Sequence, residues 1–122
     1  MLSEIRGARQ IVDEGKRRWF RDDELDLIIW YGKDDSVDGF QLCYDKSTRE
    51  RALTWHKPGR YEHHAIDSGE DGGMVTKRTP VLIADGLFEP DRVGHMFASR
   101  SNSLPDDIVS LVTHAIDAYS TA

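Results

Sequence analysis

The sequence has a single cysteine, Cys43, so it can form no intrachain disulfide and no multi-thiolate metal site. It also has no long apolar run. The longest unbroken stretch of apolar and aromatic residues, Leu27 to Tyr31, falls far short of the roughly 20 residues a membrane-spanning helix requires. The opening Met1-Leu2-Ser3-Glu4-Ile5-Arg6-Gly7 includes an acid and no apolar segment, unlike a secretory signal. Positive charge is in deficit: 16 Lys and Arg stand against 22 Asp and Glu, a formal charge of −6. Phosphate surfaces draw on net positive fields, so nucleic acid and anionic membrane are not expected partners. There is no HExxH zinc pair and no GxxxxGK[ST] phosphate loop. A cytoplasmic protein is the expectation.

What is present is enough for one core. The 122 residues, 39% hydrophobic and 31% charged, suit a single α+β domain spanning 1–122. Residues 2–18 read as an N-terminal helix, with Leu2, Ile5, Ala8 or Arg9, and Val12 at three-to-four-residue spacing and Lys16, Arg17 and Arg18 at its end. Gly7 and Gly15 weaken that helix. The continuous apolar run in 25–31 predicts a central strand covered on both faces. Residues 37–45 alternate, with Phe40, Leu42 and Tyr44 on one side. Strands are expected over 51–57, with Leu53 and Trp55 inward, over 61–67 after the Pro58-Gly59 turn, and over 80–84. Ser68 to Thr79 reads as a loop. Pro90 opens a helix to about Arg100, and Ser103 caps a last helix striped by Ile108, Leu111, Val112, Ala115, Ile116 and Tyr119. The expected fold is an antiparallel sheet of about five strands with one N-terminal and two C-terminal helices.

Four features bear on chemistry. If the Pro58-Gly59 turn sets His56 opposite Tyr61, then His56 and His63 share a face, with Asp67 further along it. Two imidazoles and a carboxylate suit a divalent metal ion. Asp34, Ser36, Asp38, Gly39 and Asp45 match positions of a calcium-binding EF-hand loop, but strands flank them, and acids with glycine are ordinary hairpin chemistry. Lys16-Arg17-Arg18-Trp19-Phe20-Arg21 interleaves cations with aromatics as single-strand binders do, yet Asp22-Asp23-Glu24 follows at once and cancels the field. Cys43 reads as a buried small hydrophobe within its strand.

More aromatics are present than one sheet face requires. Trp19, Trp30, Tyr31, Trp55 and Tyr61 cannot all point inward along alternating strands. The expected function is a non-enzymatic binding or accessory domain, engaging a protein partner or a second copy as a homodimer. Trp55, Tyr61, His64 and Trp19 are the candidate binding surface. No resident cofactor is expected on this reading. The competing reading is a small metal-binding protein or hydrolase built on His56, His63 and Asp67, with Glu62 as base in a different register. In size, acidic charge and element order the chain is similar to the small acidic chaperones of type III secretion, which combine terminal helices with an antiparallel sheet and dimerise.

Overall fold

The computed structural model describes residues 1–5, 16–67, 81–84 and 88–119, with the side chains of all but 66–67 and 81–84, and it is among these residues that the following elements lie. Seven strands form one antiparallel sheet in strict chain order. They are β1 (Ser3–Glu4), β2 (Arg17–Arg21), β3 (Asp26–Tyr31), β4 (Val37–Tyr44), β5 (Arg51–His56), β6 (Arg60–Asp67) and β7 (Val81–Ala84). Two helices follow, α1 (Pro90–Arg100) and α2 (Asp106–Tyr119). The class is α+β with an antiparallel sheet, as the alternating middle of the chain requires.

Each strand exposes alternate side chains to one face, and the pairing stacks these into rows. Phe20, Leu27, Leu42, Leu53 and His63 form one row across β2 to β6. Arg18, Ile29, Phe40, Trp55 and Tyr61 form the next. Leu27, Ile29, Phe40, Leu42 and Leu53 are fully buried against the helices. Burying each such side chain contributes roughly 1.5–3 kcal/mol. From α1, Val93 and Phe97 enter this core, and from α2, Ile108, Val112, Ala115 and Ile116. Pro90 occupies the first turn of α1, where its missing N–H has no helical partner to lose. No described helix is long and apolar enough to cross a membrane.

The N-terminal helix expected over 2–18 is not what the described part of that segment forms. Ser3–Glu4 and Arg17–Arg21 are strands, paired with each other, and residues 6–15 lie outside the described residues. The period of two in Arg17–Arg21 decides the matter. Phe20 drops into the core while Trp19 faces the other way, and Arg18 spans from the Phe20 ring to a Glu4 carboxylate at 2.8 Å. The neighbouring apolar strand β3 supplies a hydrogen-bonding edge that a helix could not use. The strand count therefore rises from five to seven. The element-order likeness to terminal-helix chaperones rested on that helix and lapses with it.

The run in β3 is also covered less evenly than expected. Leu27 and Ile29 are buried, while Ile28 and Trp30, on the opposite face, are only half-buried. Tyr31, two residues beyond Ile29, returns to the core face, and the register shifts there by one residue of β4, Trp30 pairing with Gly39 and Tyr31 with Val37. At the last helix, Ser103 does not act as the cap, its hydroxyl lying 3.1 Å from the Met1 sulfur, and α2 starts at Asp106 behind Pro105. The expected loop Ser68–Thr79 lies outside the described residues.

Candidate binding groove

The site begins at the β5–β6 hairpin. Its connection is Lys57-Pro58-Gly59, with a cis peptide before Pro58, and pairing resumes at His56 opposite Arg60. That is one residue different from the register that sets His56 against Tyr61, and a shift of one exchanges the two faces. Trp55 thus pairs with Tyr61, Leu53 with His63 and Ala52 with His64. His56 and His63 lie on opposite faces of the sheet, and the shared face expected for them does not form. Asp67 sits at the far end of β6, opposite Val81. Among the described residues, no group of three His, Cys, Asp or Glu side chains is placed to hold a metal ion.

His63 is buried in the core instead. Its Nε2 shares a 2.5 Å hydrogen bond with the Tyr44 hydroxyl, its ring lies parallel to Tyr44, and Phe88 packs edge-on to both. His56 is on the other face, stacked on Trp30 with their planes 2° apart. Gly39 lies between these two rings in the row, and a Cβ there would stand 2.4 Å from the Trp55 carbonyl oxygen and 3.3 Å from each ring. Only glycine lets the stack close. Glu62 stands 3.7 Å from His56 at the surface.

Of the four aromatic and imidazole binding candidates, the structure joins two. Trp55 and Tyr61 are cross-strand neighbours on the helix face, at the margin of the core beside α2. Trp19 and His64 are on the opposite face, two strands or more apart from one another in the sheet order. Between the hairpin and α2 runs a groove of about 290 Å³, lined by Trp55, Pro58, Gly59, Tyr61, Leu111, His114, Ala115 and Ala118. Its walls are fixed before any ligand arrives. The Tyr61 hydroxyl donates to the Ala115 carbonyl at 2.6 Å, and Tyr119 packs edge-on to the same ring. Trp55 stacks on buried Phe40. Burial also pushes the Tyr61 hydroxyl above its ordinary pKa.

The acidic hairpin that resembles a calcium loop serves as a turn. The Asp34 carboxylate accepts from the Ser36 backbone N–H at 3.2 Å and from the Ser36 hydroxyl at 2.7 Å, bonds that hold its pKa low. Asp45, the last of that pattern, is taken by Arg92 at 2.8 Å. The basic stretch is likewise spoken for, since Arg18 engages Glu4 and Arg21 reaches Asp26 at 3.2 Å.

Leu111, His114, Ala115 and Ala118 complete the groove; the sequence assigns Leu111 and Ala115 to the apolar stripe of the last helix and does not single out His114 or Ala118. The apolar members belong to the helical stripe that any core helix shows. The signal was His114, which follows Leu111 by three and precedes Ala118 by four, placing a polar ring on the margin of that stripe. Comparison with family models, curated proteins and solved structures finds no match for this chain.

Proposed function

We propose that the chain is a non-enzymatic binding domain that takes a protein segment into the groove between the β5–β6 hairpin and α2. The observation that supports this is the aromatic wall of Trp55 and Tyr61, held rigid by the bond to Ala115 and left facing a concave, mostly apolar space. Trp, Tyr and Pro supply large contact area with little rotamer entropy to lose, which is why such residues anchor protein interfaces. A volume near 290 Å³ suits one or two apolar side chains rather than a whole cofactor. The two histidines of the competing metal or hydrolase reading are placed elsewhere, His63 beneath the helices and His56 against Trp30, and the imidazole at the groove is that of His114.

A photo-crosslinking amino acid at position 114, in the groove, tests the reading against one at exposed Asp106, at the far end of α2. The expected result is a discrete adduct from position 114 in the cells that make the protein, absent from position 106. Gly59→Trp should block it by filling the groove, because a side chain there starts from open space. An adduct of twice the chain mass would identify a homodimer, and any other mass a distinct partner. Equal adducts from both positions, or none from 114, would overturn the proposal.

A further inference from the structure

The apolar groove does not end at the hairpin. Pro58 also lines a second cleft of about 380 Å³, whose other walls are Asp38, His56, Lys57 and Arg60. A chain segment leaving the groove over Pro58-Gly59 therefore meets two permanent cations. The route is open, since a Cβ built on Gly59 meets nothing within 4 Å.

The pairing of these cations differs from that of several others on the surface. Arg18, Arg92 and Arg100 hold carboxylates at 2.8–3.0 Å. Arg60 makes no ion pair with a described residue, and Lys57 holds Asp38 only at 3.4 Å, with both side chains more than half exposed. A guanidinium presents a planar fork that matches a carboxylate with two parallel bonds. The chain's charge of −6 opposes an acidic ligand at long range. At physiological salt that field is screened beyond about 8 Å, so the contact is governed by the cleft's own groups, Lys57 and Arg60 set against Asp38, with Glu62 beside His56.

We infer that groove and cleft form one site for an acidic, apolar peptide segment. Its apolar side chain sits against Trp55, Tyr61 and Leu111, and its carboxylate meets Arg60 and Lys57. This deepens the binding reading above and rests on it. Charge complementarity selects the ligand, and the aromatic groove anchors it.

The test uses three fluorescein-labelled ten-residue peptides with the same leucine and phenylalanine core, flanked by glutamates, by lysines or by glutamines. Binding is read by anisotropy at low and high salt. The glutamate peptide should bind at least tenfold tighter than the other two at low salt, and that advantage should vanish at high salt and in Arg60→Glu. Gly59→Glu should weaken it several-fold more than Gly59→Lys, whose side chain takes up similar space at the groove, and the difference should shrink at high salt. Melting curves of both variants should match wild type, as position 59 is open. Preference for the lysine peptide, no preference, or identical behaviour of the two Gly59 variants would overturn the inference, as would binding of none. If the glutamine or lysine peptide binds and Gly59→Trp blocks it, the groove stands as a binding site and only the acidic ligand is refuted.

Discussion

Asp22 ties the β2–β3 turn to the end of α1, and replacing it with asparagine isolates what its charge contributes. One carboxylate oxygen accepts from the backbone N–H groups of Glu24 and Leu25, both at 2.8 Å. The other takes Arg100, at 3.0 Å from the last turn of α1. Burial opposes ionisation here, but these donors outweigh it and bring the carboxyl from its ordinary 3.8 to about 2. Asp22 is more acidic folded than unfolded, so its contribution is complete above the unfolded value and is lost as pH falls through the folded one. At about 1.4 kcal/mol per pH unit, the difference is roughly 2 kcal/mol at neutral pH. For a chain of this length that corresponds to about 8 °C in Tm. Asp22→Asn keeps an oxygen for the turn but sets an uncharged amide against Arg100. Urea unfolding of both proteins from pH 7 to pH 2.5 is the assay. The gap should be full at pH 7, narrow to about half near pH 3, and keep closing below that. Equal stability at pH 7, or a gap independent of pH, would refute the reasoning.

Three further outcomes follow from the packing. Ile116→Ala removes a fully buried side chain between α2 and the sheet and should cost about 2–5 kcal/mol, whereas exposed Thr113→Ala should stay within about 0.5 kcal/mol; calorimetry on both checks the assigned face of α2. Gly39→Ala forces a methyl to within 2.4 Å of the Trp55 carbonyl oxygen and should cost about 1–3 kcal/mol, with a change in near-UV circular dichroism as the Trp30–His56 stack parts. Burial, with Glu50 and Asp26 nearby, pushes the Cys43 thiol up to about 12, so native protein at pH 8 should resist iodoacetamide for as long as it stays folded and react once urea unfolds it.

The middle of the fold was legible because its periodicity had one physical meaning. Phe40, Leu42 and Tyr44 alternate with Gly39, Gln41 and Cys43, and a half-buried strand is the structure that uses such a pattern. The C-terminal helices were legible for the same reason, their apolar spacing of three and four having no use in a sheet. The described ends of 2–18 were misleading because Leu2 and Ile5 fit a helical spacing, whereas the residues around them form strand β1 and its flanks. Leu2 is buried and its N–H bonds the Arg100 carbonyl at 2.8 Å, a contact some 100 residues away in the chain. Long-range partners of this kind leave no local trace.

The site was legible by residue type and not by geometry, and one residue of register explains the difference. Reading Pro58-Gly59 as a two-residue turn assigns His63 to the face of His56, whereas the three-residue connection Lys57-Pro58-Gly59 assigns it to the face of Trp55 and Tyr61. On that face Leu53 stands directly opposite His63, and Tyr44 and Phe88 close over the ring, so an imidazole that looked like a ligand becomes part of the core. The same shift brings Trp55 and Tyr61 into one cross-strand pair, and only then does α2 have an aromatic wall to face. The register is itself selected by burial: Arg60 and Glu62 are tolerable at the surface, but under the helices they would need partners that Leu27, Leu42 and Leu53 cannot supply. The same choice of face that removes the histidine pair therefore creates the groove.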